Sequence, residues 1–380
     1  MNAPTSQQTV TPWEVRAGDS TDGIDYSKII NQFGCEPFTQ EMSSKNELTH
    51  ILFRRGIVFA HRDFNKALEM AKSGKPIYLY TGRGPSSNSM HLGHAVPFLL
   101  CKYLQERFNC QLVIQITDDE KYIWKDITLE DSIKYGRENS KDIIAFGFNP
   151  EKTFIFSNTL YSHTFMRNTL KIEKSLTLKE FQKVFGFTED AKVGQVSFPA
   201  RQMSPCYPSS FPNILPEGGI CLIPCSIDQD PYFRLARDIA NKMHAIKPAT
   251  VYTYFLPALQ GAGTKMSASS AESSIYLSDT PEQIKKKINK YAFSGGRDTL
   301  EEHRRLGGNL AVDVAYKYLV FFLEDDALLE KYRVGYEKGE ILSGEMKKLC
   351  IETLQKFVGE FQERRKSVTE EDLDRFYTHN

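Results

Sequence analysis

The sequence lacks an excess of charge of either sign and any apolar run of membrane-spanning length. Its 380 residues carry 48 Lys and Arg against 48 Asp and Glu, so the formal net charge is zero. This balance excludes a bulk-cationic nucleic-acid binder and a disordered acidic chain. The uncharged apolar runs, such as Ala95–Cys101, stay far below the 18 residues that read as a membrane helix. We therefore expect no membrane-spanning segment.

Paired cysteine motifs are also missing. The seven cysteines stand at positions 35, 101, 110, 206, 221, 225 and 350, with no CxxC pair and no repeated spacing. A zinc site or a disulfide framework is therefore not expected. The first twenty residues contain one arginine and no hydrophobic signal region, which makes them a poor secretion or transit signal. Together these absences predict a reduced, intracellular and cytoplasmic protein.

The chain instead alternates short apolar segments with helical stretches. At 41% hydrophobic residues it can bury more than one sizeable core, and its length predicts two or three domains. We predict helices over 95–108, 129–146 and 231–244, and strands over 77–80, 112–117, 153–156, 220–223, 251–255 and 275–277. This alternation is typical of βαβ units and predicts an α/β fold with a doubly wound, Rossmann-like parallel sheet.

The character of the sequence changes along its length, which suggests three regions. Residues 1–72 form an N-terminal extension with helices predicted at 26–33 and 64–71. Residues 73–280 form the Rossmann-type domain, and residues 281–380 form an all-helical domain with helices predicted over 281–293, 312–333 and 344–365. Two basic clusters in this last domain are either phosphate contacts or solvated helix faces: Lys285, Lys286, Lys287 and Lys290, and Arg364, Arg365 and Lys366.

A glycine-rich loop follows the first predicted strand of the sheet. It reads Thr-Gly-Arg-Gly-Pro-Ser-Ser from Thr81 and leads into Met-His-Leu-Gly-His, which opens a helix. A helix N-terminus presents free N–H groups and a positive dipole end, so this region predicts an anion site. His91 and His94 lie three residues apart, where both can donate to phosphate oxygens. Gly93 leaves room for a flat base against the backbone.

A second motif, Lys-Met-Ser-Ala-Ser from Lys265, follows the glycine-rich run at 261–264. A lysine on such a loop can follow charge as it moves between phosphates, and Ser267 and Ser269 add hydroxyl donors. Either motif alone is most often a polar helix turn or a solvated loop. The two in this order, each after a predicted strand, resemble the HIGH and KMSKS signatures of class I aminoacyl-tRNA synthetases.

Further stretches sharpen the resemblance to tryptophanyl-tRNA synthetases of the eukaryotic and archaeal type, from about residue 13 to nearly the end. Leu92 replaces the isoleucine of HIGH, and Ala268 replaces the second lysine of KMSKS, as is common in the eukaryotic branch. The stretches are Tyr80–His94, Gln115–Lys121, Ser197–Gln202, Ile227–Arg234 and Phe293–Arg297. The resemblance implies a tryptophan–tRNA ligase that forms tryptophanyl-adenylate from L-tryptophan and ATP and transfers it to tRNA(Trp).

The resemblance also implies roles for individual residues and regions. His91 and His94 become catalytic with Lys265, Ser267 and Ser269, which stabilise the leaving pyrophosphate. The ATP site comprises Thr81, Gly82, Arg83, Gly93, Asp228 and Met266. The helical domain becomes an anticodon-binding domain, the N-terminal region supplies an active-site lid containing Trp13, and the enzyme is a homodimer.

For the amino acid, the resemblance places Glu120, Gln115 and Gln229 around the α-ammonium and Tyr80 and Gln202 at the indole N–H. A buried Gln115 with satisfied hydrogen bonds and Tyr80 as an ordinary strand aromatic are the structural alternatives. Three consecutive acids, Asp118-Asp119-Glu120, cannot all point one way, so we expect no protein metal site and expect Mg²⁺ to arrive with ATP.

Three other functions stay open at this point. A tyrosyl-tRNA synthetase has the same signatures, but its pocket needs a partner for a phenol hydroxyl, commonly an aspartate, and this sequence has Gln202 at the matching segment. A small HxGH nucleotidyltransferase would usually be a single domain. A catalytically silent synthetase relative with a signalling role is disfavoured by His91, His94, Lys265 and Glu120, all of which are present.

Overall fold

The structure, a computed structural model, describes residues 8–12, 15–17, 24–266, 272 and 274–378, with the backbone alone at 262–265. Its strands are β1 (Thr9–Val10), β2 (Val15–Arg16), β3 (Glu36–Pro37), β4 (Val58–Arg62), β5 (Ile77–Arg83), β6 (Gln111–Ile116), β7 (Thr153–Ser157), β8 (Ile220–Ser226), β9 (Ala249–Thr253), β10 (Pro257–Ala258) and β11 (Gly261–Lys265).

The helices of the N-terminal and sheet-bearing regions are α1 (Tyr26–Phe33), α2 (Gln40–Lys45), α3 (Ile51–Arg54), α4 (Phe64–Lys72), α5 (Leu92–Phe108), α6 (Asp118–Trp124), α7 (Leu129–Ile144), α8 (Asn158–Ser175), α9 (Leu178–Phe185), α10 (Val193–Met203) and α11 (Asp230–Ile239). The C-terminal helices are α12 (Pro281–Tyr291), α13 (Leu300–Leu306), α14 (Val314–Phe322), α15 (Asp326–Glu337), α16 (Ser343–Lys366) and α17 (Glu370–Tyr377).

The main sheet has seven strands in the order β3-β4-β9-β8-β5-β6-β7. The five strands from β9 to β7 are parallel to one another, which confirms the predicted doubly wound sheet. From β5 the chain moves outward through β6 and β7, then returns to place β8 on the other side of β5. The carboxyl ends of β5 and β8 therefore flank a topological switch point, where ligands bind in such sheets.

The sheet is mixed rather than wholly parallel, because β3 and β4 join it antiparallel to their neighbours. Neither strand was predicted. The predicted strand at 275–277 was wrong, since this segment makes only an isolated bridge between His91 and Tyr276. The helices α8, α9 and α10, which fill the connection from β7 to β8, were also not predicted.

Two apolar cores lie on opposite faces of the sheet. Successive residues of a strand point to opposite faces, so Leu79 enters one core and Tyr80 the other. Ile114 and Val113 of β6 alternate in the same way. This period of two explains why each parallel strand is buried along its length and reads as a short continuous apolar run.

The C-terminal helices share the core that contains Leu79, since Tyr318 and Phe361 belong to that same apolar cluster. The predicted helix over 312–333 is divided into α14 and α15, because Asp325 starts a new helix by accepting a hydrogen bond from the Leu328 backbone at 2.9 Å. In the described part of the chain, no helix is long and apolar enough to cross a membrane.

Candidate active site

A cavity of about 290 Å³ opens at the carboxyl ends of β5, β6 and β8, at the switch point of the sheet. It joins two groups of residues that the sequence predicted separately. The lining includes the predicted ATP and catalytic residues Thr81, Gly82, Arg83, His91, Gly93, His94, Asp228 and Met266. It also includes the predicted tryptophan residues Tyr80, Gln115, Glu120, Gln202 and Gln229.

Arg83 lies at one end of this cavity and is buried. Its Nε donates to Asn139 Oδ1 at 2.7 Å, and its Nη1 lies 2.9 Å from His94 Nε2. Its Nη2 has no hydrogen-bond partner among the described residues, although it too is buried. Burial lowers the pKa of Arg83 to about 10, so the guanidinium is still charged at neutral pH. A buried cationic donor without a partner is well placed to receive an anion.

The two predicted histidines lie together at the start of α5, with ring centroids 3.5 Å apart. Both ring nitrogens of His94 have neighbours, since Nε2 lies 2.9 Å from Arg83 Nη1 and Nδ1 accepts from the His91 backbone N–H at 3.3 Å. A Cβ at Gly93 would lie 3.1 Å from the His91 ring and 3.6 Å from Met266. Glycine at this position therefore lets the HxGH turn and the segment following β11 approach each other closely.

The loop after β5 also needs a glycine. A Cβ at Gly84 would lie 2.2 Å from Lys121 Cε and 2.7 Å from Glu120 Oε2. The Glu120 carboxylate crosses this loop held by two partners, the Thr117 hydroxyl and Lys121 Nζ, each at 2.8 Å. Glu120 is therefore a carboxylate of fixed position on the cavity wall, and one ammonium group, that of Lys121, is already bound to it.

The other end of the cavity carries hydrogen-bonded amides. The Tyr80 hydroxyl lies 2.5 Å from Gln115 Oε1 and 2.8 Å from the Gln202 carbonyl oxygen. The Gln202 side chain instead donates through Nε2 to Gln229 Oε1 at 3.0 Å. The contacts thus pair Gln115 with Tyr80, and the Gln202 side chain with Gln229. Burial raises the pKa of Tyr80 well above its usual value, so its hydroxyl keeps its proton.

The segment with the second motif is described only in part. Lys265 ends β11, but its side chain lies outside the described residues, as do Ser267 and Ser269. Met266 is described, is buried and lines the cavity. Just beyond the motif, the Leu92 backbone N–H donates to the Ile275 carbonyl at 2.9 Å, so this region is bonded to the HxGH turn.

The N-terminal region also reaches the cavity. Pro12 lines it, and β2 pairs antiparallel with β11, with Arg16 opposite Thr264. Trp13, which the sequence assigned to a lid, lies outside the described residues.

The three consecutive acids do not converge on one point. Asp118 accepts from the hydroxyls of Ser157 and Thr159, each at 2.5 Å, whereas Asp119 accepts from Asn158 Nδ2 at 2.8 Å. Glu120 turns into the cavity instead. Among the described residues, no group of three or more His, Cys, Asp or Glu side chains could hold a metal ion.

The basic clusters of the helical domain prove to be partly structural. Lys287 Nζ donates to Asp279 Oδ2 at 2.7 Å, and Arg365 Nε donates to Asp142 Oδ1 at 2.8 Å. Arg364 Nε donates to the Ala145 carbonyl at 2.9 Å. These three side chains hold the helices against the rest of the molecule, which neither of the two predicted readings anticipated.

Sequence reasoning missed three residues at this site. Lys121 lines the cavity and ends the Gln115–Lys121 stretch, but the sequence predicts no role for it. Asn139 orients Arg83 from α7, and Asn158 contacts Gln115 from the start of α8. No local signal marks either asparagine, because each acts through a contact between elements that are distant in the sequence.

Comparison with known proteins identifies a family. Residues 72–359 match the family described as tRNA synthetases class I (W and Y). The chain is 54% identical over 379 residues to a tryptophan–tRNA ligase of Encephalitozoon cuniculi, covering 98% of each chain. It is 51% identical to the cytoplasmic tryptophan–tRNA ligase of Saccharomyces cerevisiae, covering 97% of this chain and 89% of the yeast protein.

Solved structures agree with these matches. The crystal structure of an E. cuniculi tryptophanyl-tRNA synthetase bound to tryptophan has a TM-score of 0.89 and 53% identity, covering 95% of this chain and 99% of that one. A product-bound parasite tRNA synthetase has a TM-score of 0.91 and 49% identity, covering 94% and 97%.

Proposed function

The chain belongs to the class I tRNA synthetases of the tryptophan and tyrosine type, and on that premise we propose how its cavity works as a tryptophan–tRNA ligase. One observation carries the proposal. A single cavity holds, at one end, a buried guanidinium whose Nη2 has no hydrogen-bond partner among the described residues and, at the other, a set of hydrogen-bonded amides around Tyr80. The first end suits a triphosphate, and the second suits an amino acid whose ring carries an N–H donor.

The first step is adenylation. A carboxylate oxygen of tryptophan bonds to the α-phosphorus of ATP, the bond to the bridging oxygen breaks, and pyrophosphate leaves with that electron pair. The carboxylate is already ionised, so no protein nucleophile is required. The protein therefore contributes positioning and neutralisation of the charge that develops on the phosphates.

We assign the phosphate end to ATP. Arg83, His91 and His94 hold its phosphates together with the first turn of α5, and Lys265 with Ser267 and Ser269 stabilises the leaving pyrophosphate. The remaining ATP residues are Thr81, Gly82, Gly93, Asp228 and Met266. Magnesium arrives with the nucleotide as its counter-ion, since Asp118, Asp119 and Glu120 point to different partners.

We assign the amide end to tryptophan. Glu120 supplies the countercharge for the α-ammonium, and we assign the hydrogen-bonded Gln202–Gln229 pair to the same group of the ligand. Tyr80 and Gln115 receive the ring, since the Tyr80 hydroxyl and Gln115 Oε1 meet at 2.5 Å. Phe233 meets the Tyr80 ring edge-on at 5.9 Å and adds to the apolar wall of this end.

In the second step, a hydroxyl of the terminal ribose of tRNA attacks the adenylate carbonyl, the bond from the carbonyl carbon to the phosphate oxygen breaks, and AMP leaves while its phosphate takes the hydroxyl proton. We assign the C-terminal helices to anticodon binding and the N-terminal region to a lid, which Pro12 at the cavity and the β2–β11 pairing support. By the names of its relatives, we place the enzyme in the cytoplasm.

We also propose a homodimer. Leu160, Met166 and Leu170 of α8 are 58%, 42% and 57% exposed. They lie within about 120° of one another around the helix, which gives α8 an apolar face of the kind that a subunit contact covers. Sedimentation at micromolar concentration should give about twice the mass of one chain. The monomer mass would oppose this part of the proposal.

Charging of tRNA tests the function. Purified protein with ATP, magnesium and labelled tryptophan should esterify a tRNA(Trp) transcript and leave a tRNA(Tyr) transcript uncharged. Charging of tRNA(Tyr) with tyrosine would instead show that the chain belongs to the sister activity. Adenylate formation without charging of either transcript would confine the proposal to the first step.

A further inference from the structure

A line of side-chain hydrogen bonds leads away from the cavity, starting at Gln115. This residue is fully buried, and its Nε2 donates to Asn158 Oδ1 at 2.8 Å and to the Arg201 carbonyl at 3.2 Å. Both amide protons are therefore engaged on the side away from Tyr80. The Gln115 oxygen is left facing Tyr80 and the cavity.

The direction of these bonds is set at the far end of the line. Asn158 is buried, and its Nδ2 donates to Asp119 Oδ1 at 2.8 Å. An ionised carboxylate has no proton and can only accept. Asn158 must therefore turn its nitrogen to Asp119 and its oxygen to Gln115. Gln115 Nε2 then faces two acceptors, Asn158 Oδ1 at 2.8 Å and the Arg201 carbonyl at 3.2 Å, and the bond to Asn158 is the shorter of the two.

Asp119 is held in place from a third element of the fold. Its Oδ2 lies 3.0 Å from Arg201 Nε, an ion pair that is not aligned as a hydrogen bond, and its Oδ1 also accepts from the Glu120 backbone at 2.8 Å. Burial raises the pKa of Asp119 to about 6, while Arg201 and Asn158 oppose that rise. The carboxylate is therefore ionised at neutral pH.

The result at the cavity is an acceptor of fixed orientation. Gln115 Oε1 accepts from the Tyr80 hydroxyl at 2.5 Å and, because an amide oxygen has two lone pairs, it can accept a second hydrogen bond from a donor on the ligand. The indole N–H is such a donor. If the carboxamide were reversed, its NH₂ would meet the indole N–H, and two donors would face each other in a buried site.

We propose that Asn158, Asp119 and Arg201 are positioning residues that lock the Gln115 carboxamide with its oxygen toward the tryptophan ring. The inference rests on the proposed function, and it extends the specificity determinants beyond the cavity wall to α6, α8 and α10. None of the three side chains needs to touch the substrate for this role.

The test compares tryptophan with benzothienylalanine, in which sulfur replaces the ring N–H. The readout is the ratio of kcat/KM for the two amino acids in ATP–pyrophosphate exchange. Asp119→Asn replaces one carboxylate oxygen with an NH₂ group at nearly constant volume, so the side chain loses its charge and can donate to Asn158 as well as accept from it. We expect the ratio to fall about tenfold, through a loss on tryptophan with the analogue changed by less than about threefold.

Asp118→Asn is the matched control. Asp118 is the adjacent buried carboxylate, but its partners are Ser157 and Thr159, and it does not contact Asn158 or Gln115 in the described structure. This change should leave the ratio at its wild-type value, whatever it does to stability. Equal losses on both amino acids in Asp119→Asn would overturn the proposal and leave Asp119 a merely structural residue.

A second pair of variants keeps the proposal testable if Asp119→Asn does not fold. Asn158→Asp always offers an acceptor to Gln115 and should retain the ratio, whereas Asn158→Leu offers none and should lower it about tenfold. Equal ratios in these two variants would contradict the proposal. Failure of wild-type protein to exchange with tryptophan at all would instead reject the proposed function, so the two failures are distinguishable.

Discussion

The two ends of the cavity solve different physical problems. At the phosphate end, the buried Arg83 guanidinium has one nitrogen without a hydrogen-bond partner in the described structure. At the amino-acid end, the amides of Gln115 and Gln202 already have partners, and those of Gln115 continue through Asn158 to Asp119. The first end therefore has a buried charge with a donor still available to the ligand, whereas the second has its hydrogen bonds formed before the ligand binds.

The difference fits what each ligand demands. A triphosphate offers several charged oxygens, so an unsatisfied cation gains by binding any of them, and the gain is greatest where charge develops. An indole offers one N–H donor, and only an acceptor of fixed orientation can distinguish it from a ring of the same size without that donor. The account thus predicts losses of rate from the phosphate end and losses of selectivity from the amide end.

The largest effect should come from Arg83→Met. Removing the guanidinium should lower kcat/KM for ATP by about 10²- to 10³-fold, the range for loss of one preorganised charge-stabilising donor. The temperature of thermal unfolding should change little, because the cost of burying the Arg83 cation in the free protein offsets the hydrogen bonds that it makes. Exchange kinetics across a range of ATP concentrations, with calorimetry alongside, check both parts. Arg83→Lys keeps the positive charge but loses the planar guanidinium, so its kcat/KM should lie between those of wild type and Arg83→Met. Full activity in Arg83→Met would show that Arg83 does not bind the phosphates.

Next in size is Lys265→Ala. The sequence predicts that this lysine follows the leaving pyrophosphate, so its loss should slow adenylate formation by an amount corresponding to about 3 kcal/mol. ATP binding should be weakened far less. Rapid-quench measurement of the adenylate separates the two quantities. An unchanged rate accompanied only by a raised KM for ATP would reject the transition-state role.

A smaller and more selective effect should distinguish the two glutamines. From the sequence, Gln202 was expected at the indole N–H, but the contacts bring Gln115 to Tyr80 and the Gln202 side chain to Gln229. Gln115→Ala should therefore cost about 1–3 kcal/mol in kcat/KM for tryptophan and much less for benzothienylalanine. Gln202→Ala should cost similar amounts on both. The opposite pattern in pyrophosphate exchange would restore the sequence-based assignment.

The smallest effect should appear with pH. The pKa of Asp119 is raised to about 6 by burial, so the carboxylate is ionised at pH 7.5 and mostly protonated at pH 5.5. A protonated Asp119 carboxyl can donate to Asn158. The side chains of Asn158 and Gln115 are then no longer held with their nitrogens toward Asp119 and Asn158, respectively. The ratio of kcat/KM for tryptophan over benzothienylalanine should thus fall a few-fold as the pH drops through 6.

The charged groups that bear on Asp119 are Arg201 from α10, which opposes protonation, and Asp118 from its own helix, which favours it. In Asp119→Asn the ratio should already be low and should not change with pH. A wild-type ratio that stays level from pH 7.5 to 5.5 would argue against Asp119 as the group that sets the direction.

These two ends also differ in how far the sequence could predict them. Most described residues of the phosphate end lie close together in the chain, between Thr81 and His94. The Lys265 motif can also be recognised from its own residues, and its place in the site stays a prediction. The positions of the glycine-rich loop and the helix start depend only on β5, which precedes the loop, and on α5, which follows it. This is why Arg83, His91 and His94 could be predicted to meet in one site.

The amide end depends on contacts that no local pattern contains. Gln115, Asn158 and Arg201 come from β6, α8 and α10, and α8 and α10 were not predicted at all. On our proposal, the end of the Gln115 carboxamide that faces the ligand depends on Asp119, a carboxylate two hydrogen bonds away. Residue identities suggested a polar tryptophan site, but the pairing of its glutamines required the folded structure.

The antiparallel strand β4 shows the same limit on the scale of the fold. Val58–Arg62 is a short segment whose place in the sheet is decided by its pairing with β9, nearly 200 residues later. The parallel strands were predicted because each is a buried apolar run. The antiparallel part of the sheet depends on pairing with strands that are remote in the sequence.

The central claim, that this cavity activates tryptophan, is tested most directly by ATP–pyrophosphate exchange with each of the aromatic amino acids in turn. We predict exchange with tryptophan, and kcat/KM values for phenylalanine and tyrosine lower by roughly 10⁴-fold or more, because both lack the ring N–H that the buried acceptor requires. Faster exchange with tyrosine than with tryptophan would contradict the account.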